Sequence, residues 1–233
     1  MKVMSFNTQH CLNFKERFID YPLMAQVILD AGADLVGLNE MRGQGSAEGY
    51  EDQTGILAEL TGMEHYFAQA LGFDGFKPYG NGLLSKLPIA SAETILIPDP
   101  KVKCGPKNYE TRCLMKVKFL GDITLLVTHM GLNMDEQANA VQAILEHMSQ
   151  EKCIVMGDFN ATPLCPVLAP LFEVFVDVSD RIPGDQVNTF PSDAPDRKID
   201  YILVTPDVQV LDAKVLPIVA SDHCPHSATL SFD

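Results

Sequence analysis

Apolar and polar positions along this chain follow two different periods, which predict both helices and strands. Three segments carry apolar residues at helical spacing: 14–33, 51–62 and 134–150. The first two contain a glycine suited to a helix C-terminus, Gly32 and Gly62. A shorter helix is predicted within 164–172. Short apolar runs bounded by turn-forming residues predict strands at 2–7, 34–40, 65–70, 81–86, 90–98, 111–120, 123–130, 152–156, 197–207, 208–217 and 223–232.

The order of these elements predicts the fold class. Strands and helices alternate in both halves of the chain, with hairpin-type strand pairs between them, such as the pair joined at Gly121 and Asp122. This order favours an α/β (α+β) protein with mixed sheets packed face to face and helices outside. No linker, repeat or low-complexity block divides the sequence, so we predict a single domain over residues 1–233.

Polar residues stand at the ends of several predicted strands, where a hydrophobic core does not require them. Each alone is explained by a cap, a turn or a structural hydrogen bond. Their recurrence at sheet edges, where α/β proteins collect ligands, indicates a functional site. These residues are Asn7, Glu40, His129, Asp158, Asn160, Asp200, Asp222 and His223.

The stretch "GDFNATP" at 157–163 carries two of these residues directly after an apolar strand. Side chains alternate at a strand end, so Asp158 and Asn160 are expected to point the same way while Phe159 turns towards the core. A polar turn is the alternative, because Gly, Asp, Asn and Pro are all turn formers.

Charge and cysteine content limit the possible partners and location. A net charge of −14 and the lack of a dense Lys/Arg cluster disfavour long nucleic acids, although a bound cation can invert the local field. The six cysteines are scattered without a CxxC pair, which is typical of reduced thiols in a cytoplasmic protein. Neither a signal peptide nor a membrane-spanning stretch is apparent in the sequence.

Seven motifs in this order resemble those of a known enzyme family. They are "MSFNTQH", "GLNE", "YGNGLLSKLPI", "VTHM", "GDFNATP", "RKIDYILV" and "SDHCPH". Together they resemble the endonuclease/exonuclease/phosphatase superfamily of metal-dependent phosphoesterases, over residues from about 3 to 230. The resemblance implies a four-layer α/β/β/α sandwich of two packed mixed β-sheets flanked by helices, and an enzyme that hydrolyses phosphate esters.

The resemblance also implies a divalent cation. Mg²⁺ is expected, with Mn²⁺ as a possible substitute, because Mg²⁺ prefers hard oxygen ligands and keeps several waters. Glu40 is the first metal-ligand candidate, with Asn7 beside it and Asp222 as a further candidate. The absence of a Cys/His cluster argues against zinc.

The remaining motif residues are assigned catalytic roles by the same resemblance. Asp158 is expected to position or deprotonate the attacking water, and Asn160 to hold a phosphate oxygen. His223 is expected to contact the phosphoryl group, with Asp200 orienting it. His129 is the alternative proton donor to the leaving oxygen, and the sequence does not decide between the two histidines. Arg112 resembles an arginine near the phosphate, for which a surface salt bridge is the alternative.

Three functions are compatible with these residues. The first is a phosphodiesterase or phosphatase acting on a small molecule, nucleotide or lipid head group, and the acidic composition and the polar, glycine-rich segment 41–55 favour it. The second is a DNA or RNA nuclease of the abasic-site type, which the net charge disfavours. The third, a catalytically inactive binding module, is the weakest because every motif position holds a competent residue.

Overall fold

Two β-sheets form the centre of the protein in the computed structural model, which describes residues 1–184 and 186–232. In chain order, the described strands are β1 (Lys2–Asn7), β2 (Leu35–Arg42), β3 (Glu64–Phe73), β4 (Lys77–Ser85), β5 (Ile89–Ile97), β6 (Arg112–Phe119), β7 (Thr124–Thr128), β8 (Cys153–Asp158), β9 (Val176–Asp177), β10 (Asp200–Val204), β11 (Gln209–Val215) and β12 (His226–Ser231). The α-helices are α1 (Tyr21–Ala31), α2 (Gln53–Thr61), α3 (Met134–His147) and the short α4 (Ala169–Phe172).

Each sheet has six strands and is mixed. The strand order is β11-β12-β1-β2-β4-β3 in the first sheet and β5-β6-β7-β8-β10-β9 in the second. The first sheet has one parallel pair at its centre, β1 with β2, and the second has β7 with β8. Helix α1 connects the first pair and α3 connects the second, as parallel neighbours require.

Three buried clusters separate four layers. Between the sheets, residues such as Leu35 of the first sheet and Met156 of the second share one apolar core. A second cluster packs α1 and α2 against the outer face of the first sheet, and a third packs α3 and α4 against the second. This arrangement confirms the predicted four-layer α/β/β/α sandwich of two packed mixed sheets.

The helix boundaries follow from local sequence signals. Asp20 and Asp52 accept hydrogen bonds from backbone N–H groups in the first turns of α1 and α2. Gly32 and Gly62 end the same helices in the left-handed conformation that glycine adopts without steric cost. Helix α3 begins with a reciprocal capping box between Asn133 and Glu136.

Two further sequence predictions concern cysteines and membrane spans. All six cysteines are free thiols, and four of them are buried. In residues 1–184 and 186–232, no helix is both long and apolar enough to span a bilayer.

The strand β9 was not predicted, because its two residues are too few to show a period.

Gly157, in β8, is a position that only glycine fits. Its φ of +145° is rarely adopted by L residues, and a Cβ there would collide with the carbonyl oxygen of Thr128. We therefore expect Gly157→Ala to lower the free energy of unfolding by about 3 kcal/mol. Urea denaturation followed by circular dichroism measures this change.

Gly72→Ala in β3 is the matched control. A Cβ at Gly72 meets only the Gln69 side chain, at 3.5 Å. The free energy of unfolding of Gly72→Ala should remain within about 0.5 kcal/mol of wild type, as for other substitutions at open positions. Equal urea midpoints for Gly157→Ala and Gly72→Ala would contradict the steric role of Gly157.

Candidate active site

One cavity of about 610 Å³ collects the polar residues predicted from the strand ends. Seven of the nine predicted site residues line it: Glu40, Arg112, His129, Asp158, Asn160, Asp222 and His223. The other two lie directly behind it, because Asn7 is hydrogen-bonded to Glu40 and Asp158, and Asp200 to His223. The structure therefore brings all nine residues together.

The central parallel strands explain this convergence. Asn7 and Asp158 are the last residues of β1 and β8, and His129 directly follows β7. Because parallel neighbours present their carboxyl ends at one edge, these side chains and Glu40 of β2 meet where the two sheets pack together. Asp200 joins them because β10 is antiparallel to β8, with Asp200 opposite Asp158.

A β-bulge in β2 directs Glu40 into the cavity. Leu38 pairs with Gly82 and Met41 with Gly80, so Asn39 and Glu40 together lie opposite Asn81. Glu40 has a φ of +62°, in the left-handed region that non-glycine residues seldom occupy. The bulge lets Asn39 remain fully buried while its neighbour Glu40 lines the cavity.

Asn39 connects the two sheets beneath the site, and the sequence analysis missed it. Its Oδ1 accepts a hydrogen bond from the backbone N–H of Asp158 at 2.8 Å, and its Nδ2 donates to the carbonyl of Thr128 at 3.1 Å. The same Nδ2 donates to Oδ1 of Asn81 at 2.8 Å. Asn81 lies buried within β4.

Asn7 holds two carboxylates in place. Its Nδ2 donates to Glu40 Oε1 at 3.0 Å and to Asp158 Oδ2 at 3.1 Å, while its Oδ1 accepts from the backbone N–H of Gln9 at 3.0 Å. In this arrangement, Asn7 positions the carboxylates on either side of it. Its role as a metal ligand stays a prediction.

His223 and Asp200 form a buried acid–base pair. His223 Nδ1 lies 2.8 Å from Asp200 Oδ2, and His223 Nε2 lies 3.6 Å from Asp158 Oδ2. Burial by itself lowers the pKa of His223, but the negative charges of Asp200 and Asp158 outweigh it and raise that pKa to about 10. The imidazole is therefore a cation at neutral pH.

His129 has the opposite electrostatic environment. Burial, together with the positive charges of Arg112 and His223, lowers its pKa well below the ordinary value, so it is neutral. Arg112 lies 3.1 Å from its Nδ1, and Asn160 Nδ2 lies 3.0 Å from its Nε2. A neutral imidazole has one acceptor nitrogen and one N–H donor, so it accepts a hydrogen bond from only one of these two groups. Asn160 Nδ2 also donates to the carbonyl of Met130 at 3.0 Å.

Asp158 and Asn160 converge on the same imidazole. The backbone N–H of Asn160 donates to Asp158 Oδ1 at 2.8 Å, and Asp158 Oδ2 lies 3.5 Å from His129 Nε2. Phe159 between them is fully buried and stacks on Tyr201, with ring centroids 4.8 Å apart. The alternation expected from "GDFN" is therefore the arrangement in the structure. Burial raises the pKa of Asp158, against the opposing charge of His223.

Arg112 is buried and lines the cavity. Its guanidinium forms an ion pair with Glu110 at 3.1 Å besides its contact with His129. Its Nε has no hydrogen-bond partner among the described residues. The arginine therefore belongs to the site, and the salt bridge considered as its alternative is present as well.

The carboxylates around Glu40 fit a hard divalent cation. Neither Glu40 nor Asp222 forms an ion pair with a lysine or arginine in the part of the chain that the structure describes. Burial raises the pKa of Asp222, and the negative charge of Glu40 raises it further, against the opposing charge of His223. A cation bound between such oxygen donors would relieve this repulsion.

Tyr79 supports the same carboxylate and was not assigned from the sequence. Its hydroxyl donates to Glu40 Oε2 at 3.0 Å, so Asn7 and Tyr79 each hold one oxygen of Glu40. No pattern in the sequence marks this tyrosine, because its partner lies on a neighbouring strand.

A second potential metal cluster is better explained as acid–base machinery. Asp158, Asp200 and His223 place one ligand atom each within 4.8 Å of one another. However, both nitrogens of a protonated His223 are donors, and an imidazolium has no lone pair for a metal. Glu40 and Asp222 are the other carboxylates that line the cavity with Asp158, besides Glu110, which is paired with Arg112.

The fold and site together define a class of protein: a two-sheet α/β sandwich with carboxylates, amides and imidazoles gathered at the ends of its central strands. The sequence model of the Endonuclease/Exonuclease/phosphatase family matches residues 4–223, and the chain belongs to this family. No curated protein matches the sequence significantly.

Solved structures share the fold at low sequence identity. An endonuclease/exonuclease/phosphatase from Beutenbergia cavernae DSM 12333 has a TM-score of 0.83 and 22% identity, covering 99% of this chain and 71% of that one. The mannosyl-6-phosphatase of Bacteroides thetaiotaomicron VPI-5482 has a TM-score of 0.77 and 19% identity, with both chains covered completely. The catalytic domain of human Nocturnin, with bound sulfate, has a TM-score of 0.72 and 16% identity, covering 100% and 94%.

The two site histidines should titrate differently. In the metal-free protein, we expect the His223 ring to titrate near pH 10, because Asp200 and Asp158 stabilise its cation, while the pKa of His129 lies well below the ordinary value. Asp200→Asn removes the carboxylate charge that has the larger effect on His223 and should lower the pKa of His223. Imidazole resonances followed by NMR between pH 5 and about 11 measure both values.

A His223 ring whose pKa lies at or below the ordinary imidazole value of about 6.5, and is unchanged by Asp200→Asn, would contradict the ion pair.

Proposed function

We propose that this protein is a divalent-cation-dependent hydrolase of small phosphate esters, with Mg²⁺ as the cation. Members of its family are generally phosphoesterases. The observation that supports the proposal is the convergence of carboxylates, amides, an arginine and a cationic histidine in one cavity. Oxygen ligands for a cation and donors for a phosphoryl group thus face the same space.

Glu40 would hold the cation, with Asp222 and Asn7 as further ligands. Asn7 and Tyr79 fix the orientation of the Glu40 carboxylate, as a ligand with a defined direction requires. When bound, the cation polarises a phosphoryl oxygen and offsets negative charge in the transition state.

Asp158 would orient and deprotonate the attacking water. Its carboxylate is buried and is held by Asn7 and by the backbone N–H of Asn160. A raised pKa makes a carboxylate a stronger base than an exposed one, so the proton of the water can move to Asp158 as the oxygen attacks phosphorus.

The phosphoryl oxygens would be bound by groups on the opposite wall. The Asn160 amide is an uncharged donor, and the guanidinium of Arg112 offers the fork geometry suited to phosphate. His223 is the histidine that carries a proton at neutral pH, so we assign the acid role to it and a neutral hydrogen-bonding role to His129.

A small substrate agrees best with the charge of the protein. A net charge of −14 opposes binding of a long nucleic acid backbone. The bacterial mannosyl-6-phosphatase shows that a protein of this fold acts on a sugar phosphate. A nuclease is the alternative, and cleavage of a duplex would support it.

Glu40→Gln tests the cation site. The amide preserves size but removes the negative charge, so we expect Mg²⁺ affinity, measured by calorimetry, to fall by about tenfold or more, with a parallel loss of activity. Glu48→Gln, at an exposed position of the 43–52 loop, is the matched control and should bind Mg²⁺ like wild type. Unchanged Mg²⁺ affinity in Glu40→Gln would exclude Glu40 as the main ligand.

A substrate panel tests the activity itself. We expect hydrolysis of a small phosphomonoester or phosphodiester in Mg²⁺, loss of activity in EDTA, and little cleavage of an abasic-site duplex. Phosphate release and gel electrophoresis measure the two kinds of product. Mg²⁺-dependent cleavage of the duplex alone would replace our proposal with the nuclease, and turnover in EDTA would contradict the role of the cation.

A further inference from the structure

A second cavity of about 390 Å³ opens beside the active site. Glu40, Tyr79 and Glu110 line both cavities, so the two adjoin at the proposed cation site. A substrate whose phosphoryl group lies in the first cavity therefore has space for the rest of the molecule in the second.

A loop and a hairpin build the outer wall of this second cavity. The backbone N–H of Gly43 donates to the carbonyl of Pro78 at 2.9 Å, and that of Ser46 to the carbonyl of Phe76 at 3.2 Å. The Tyr50 hydroxyl also donates to the carbonyl of Pro78, at 2.8 Å. These bonds attach the 43–52 loop to the hairpin of β3 and β4, so the wall is formed before any ligand binds.

Arg42 is the distinctive group in this cavity. It is half-buried, its guanidinium lies over the Tyr50 ring at 5.2 Å from the centroid, and it forms no ion pair with a carboxylate among the described residues. The guanidinium is thus oriented by stacking while its N–H donors are not committed to an acidic partner. Such an arginine is notable in a protein with a net charge of −14.

Arg42 and Lys77 are the two cationic residues that line this cavity, beside the carboxylates of Glu40 and Glu110. Lys77 lines the same cavity, and its ion pair with Asp74, at 3.5 Å, joins two exposed side chains and is easily replaced. Glu110 is paired with Arg112, and Glu40 is held by Asn7 and Tyr79 at the junction. Burial and the charge of Arg42 lower the pKa of His10 to about 4, so His10 is a neutral donor or acceptor there.

We propose that Arg42, with Lys77, binds a second phosphate group of the substrate, so that the preferred substrate is a small bisphosphorylated molecule. This inference rests on the proposed hydrolase function. Tyr50 and Phe73 line the cavity and would contact the carbon skeleton that joins the two phosphates. Nucleoside bisphosphates and sugar bisphosphates share this chemistry.

Matched substrate pairs test the second-phosphate site. Steady-state kinetics should compare a nucleoside 3′,5′-bisphosphate with its 5′-monophosphate, and a hexose bisphosphate with its monophosphate, in wild type and Arg42→Gln. We expect Arg42→Gln to raise KM for at least one bisphosphate by about 10- to 100-fold, the value of a charge-assisted phosphate contact, with little change in kcat. KM for the monophosphates should change less than threefold, because a monophosphate would not contact Arg42 and salt screens the charge of Arg42 at a distance.

Arg181→Gln is the control of equal charge, because Arg181 is exposed and lies on neither cavity. It should leave all four KM values unchanged. An effect of Arg42→Gln confined to the nucleoside pair or to the hexose pair identifies the skeleton and supports the site. Equal effects on bisphosphates and monophosphates, or no effect on either, would overturn it.

Binding without turnover separates this inference from the proposed function. Calorimetry in EDTA should show wild type binding a bisphosphate at least about tenfold more tightly than its monophosphate, with the difference lost in Arg42→Gln. If no phosphate ester is hydrolysed, the proposed function fails while this binding difference still supports the second-phosphate site. Equal affinities in wild type would overturn the site even if hydrolysis is observed.

Discussion

The buried amide of Asn39 is the interaction on which the active site depends. It accepts a hydrogen bond from the backbone N–H of Asp158 and donates to the carbonyl of Thr128, so one side chain of the first sheet fixes two strands of the second. Both bonds are buried, where leaving either group unpaired is costly. Because the site is assembled from both sheets, its geometry requires this contact, and the absence of a side chain at Gly157 allows the close approach.

The charges in the site act as a set. Asp200 and Asp158 keep His223 protonated, and the resulting cation, with Arg112, keeps His129 neutral. Two imidazoles a short distance apart thus differ in charge because their neighbours differ, which is how one site obtains an acid and a neutral hydrogen-bonding group. Glu40 and Asp222, by contrast, form no ion pair with a lysine or arginine among the described residues, so a bound cation can add positive charge there.

Eight of the nine site residues could be predicted from the sequence because their signal is local, whereas Arg112 was assigned only through the family resemblance. A polar side chain directly after an apolar strand, as at Asp158, is visible without knowledge of its partners. Asn39 and Tyr79 were missed because each acts through a partner distant in sequence: Asn39 contacts Asp158 across the sheet interface, and Tyr79 contacts Glu40 from a neighbouring strand. The β2 bulge and β9 were missed as well, since a one-residue irregularity and a two-residue strand leave no period to read.

The sequence by itself determined the alternation of strands and helices, the helix ends at Gly32 and Gly62, and which residue types stand at the strand ends, because these depend on periodicity and local backbone preference. Only the tertiary structure decided which strand ends meet, that Glu40 is held from both sides, that His223 and His129 differ in charge, and that Arg42 lies in a second cavity with no ion-pair partner among the described residues. The reason is that hydrogen-bond partners and pKa values depend on distances between segments far apart in the chain, which only packing sets.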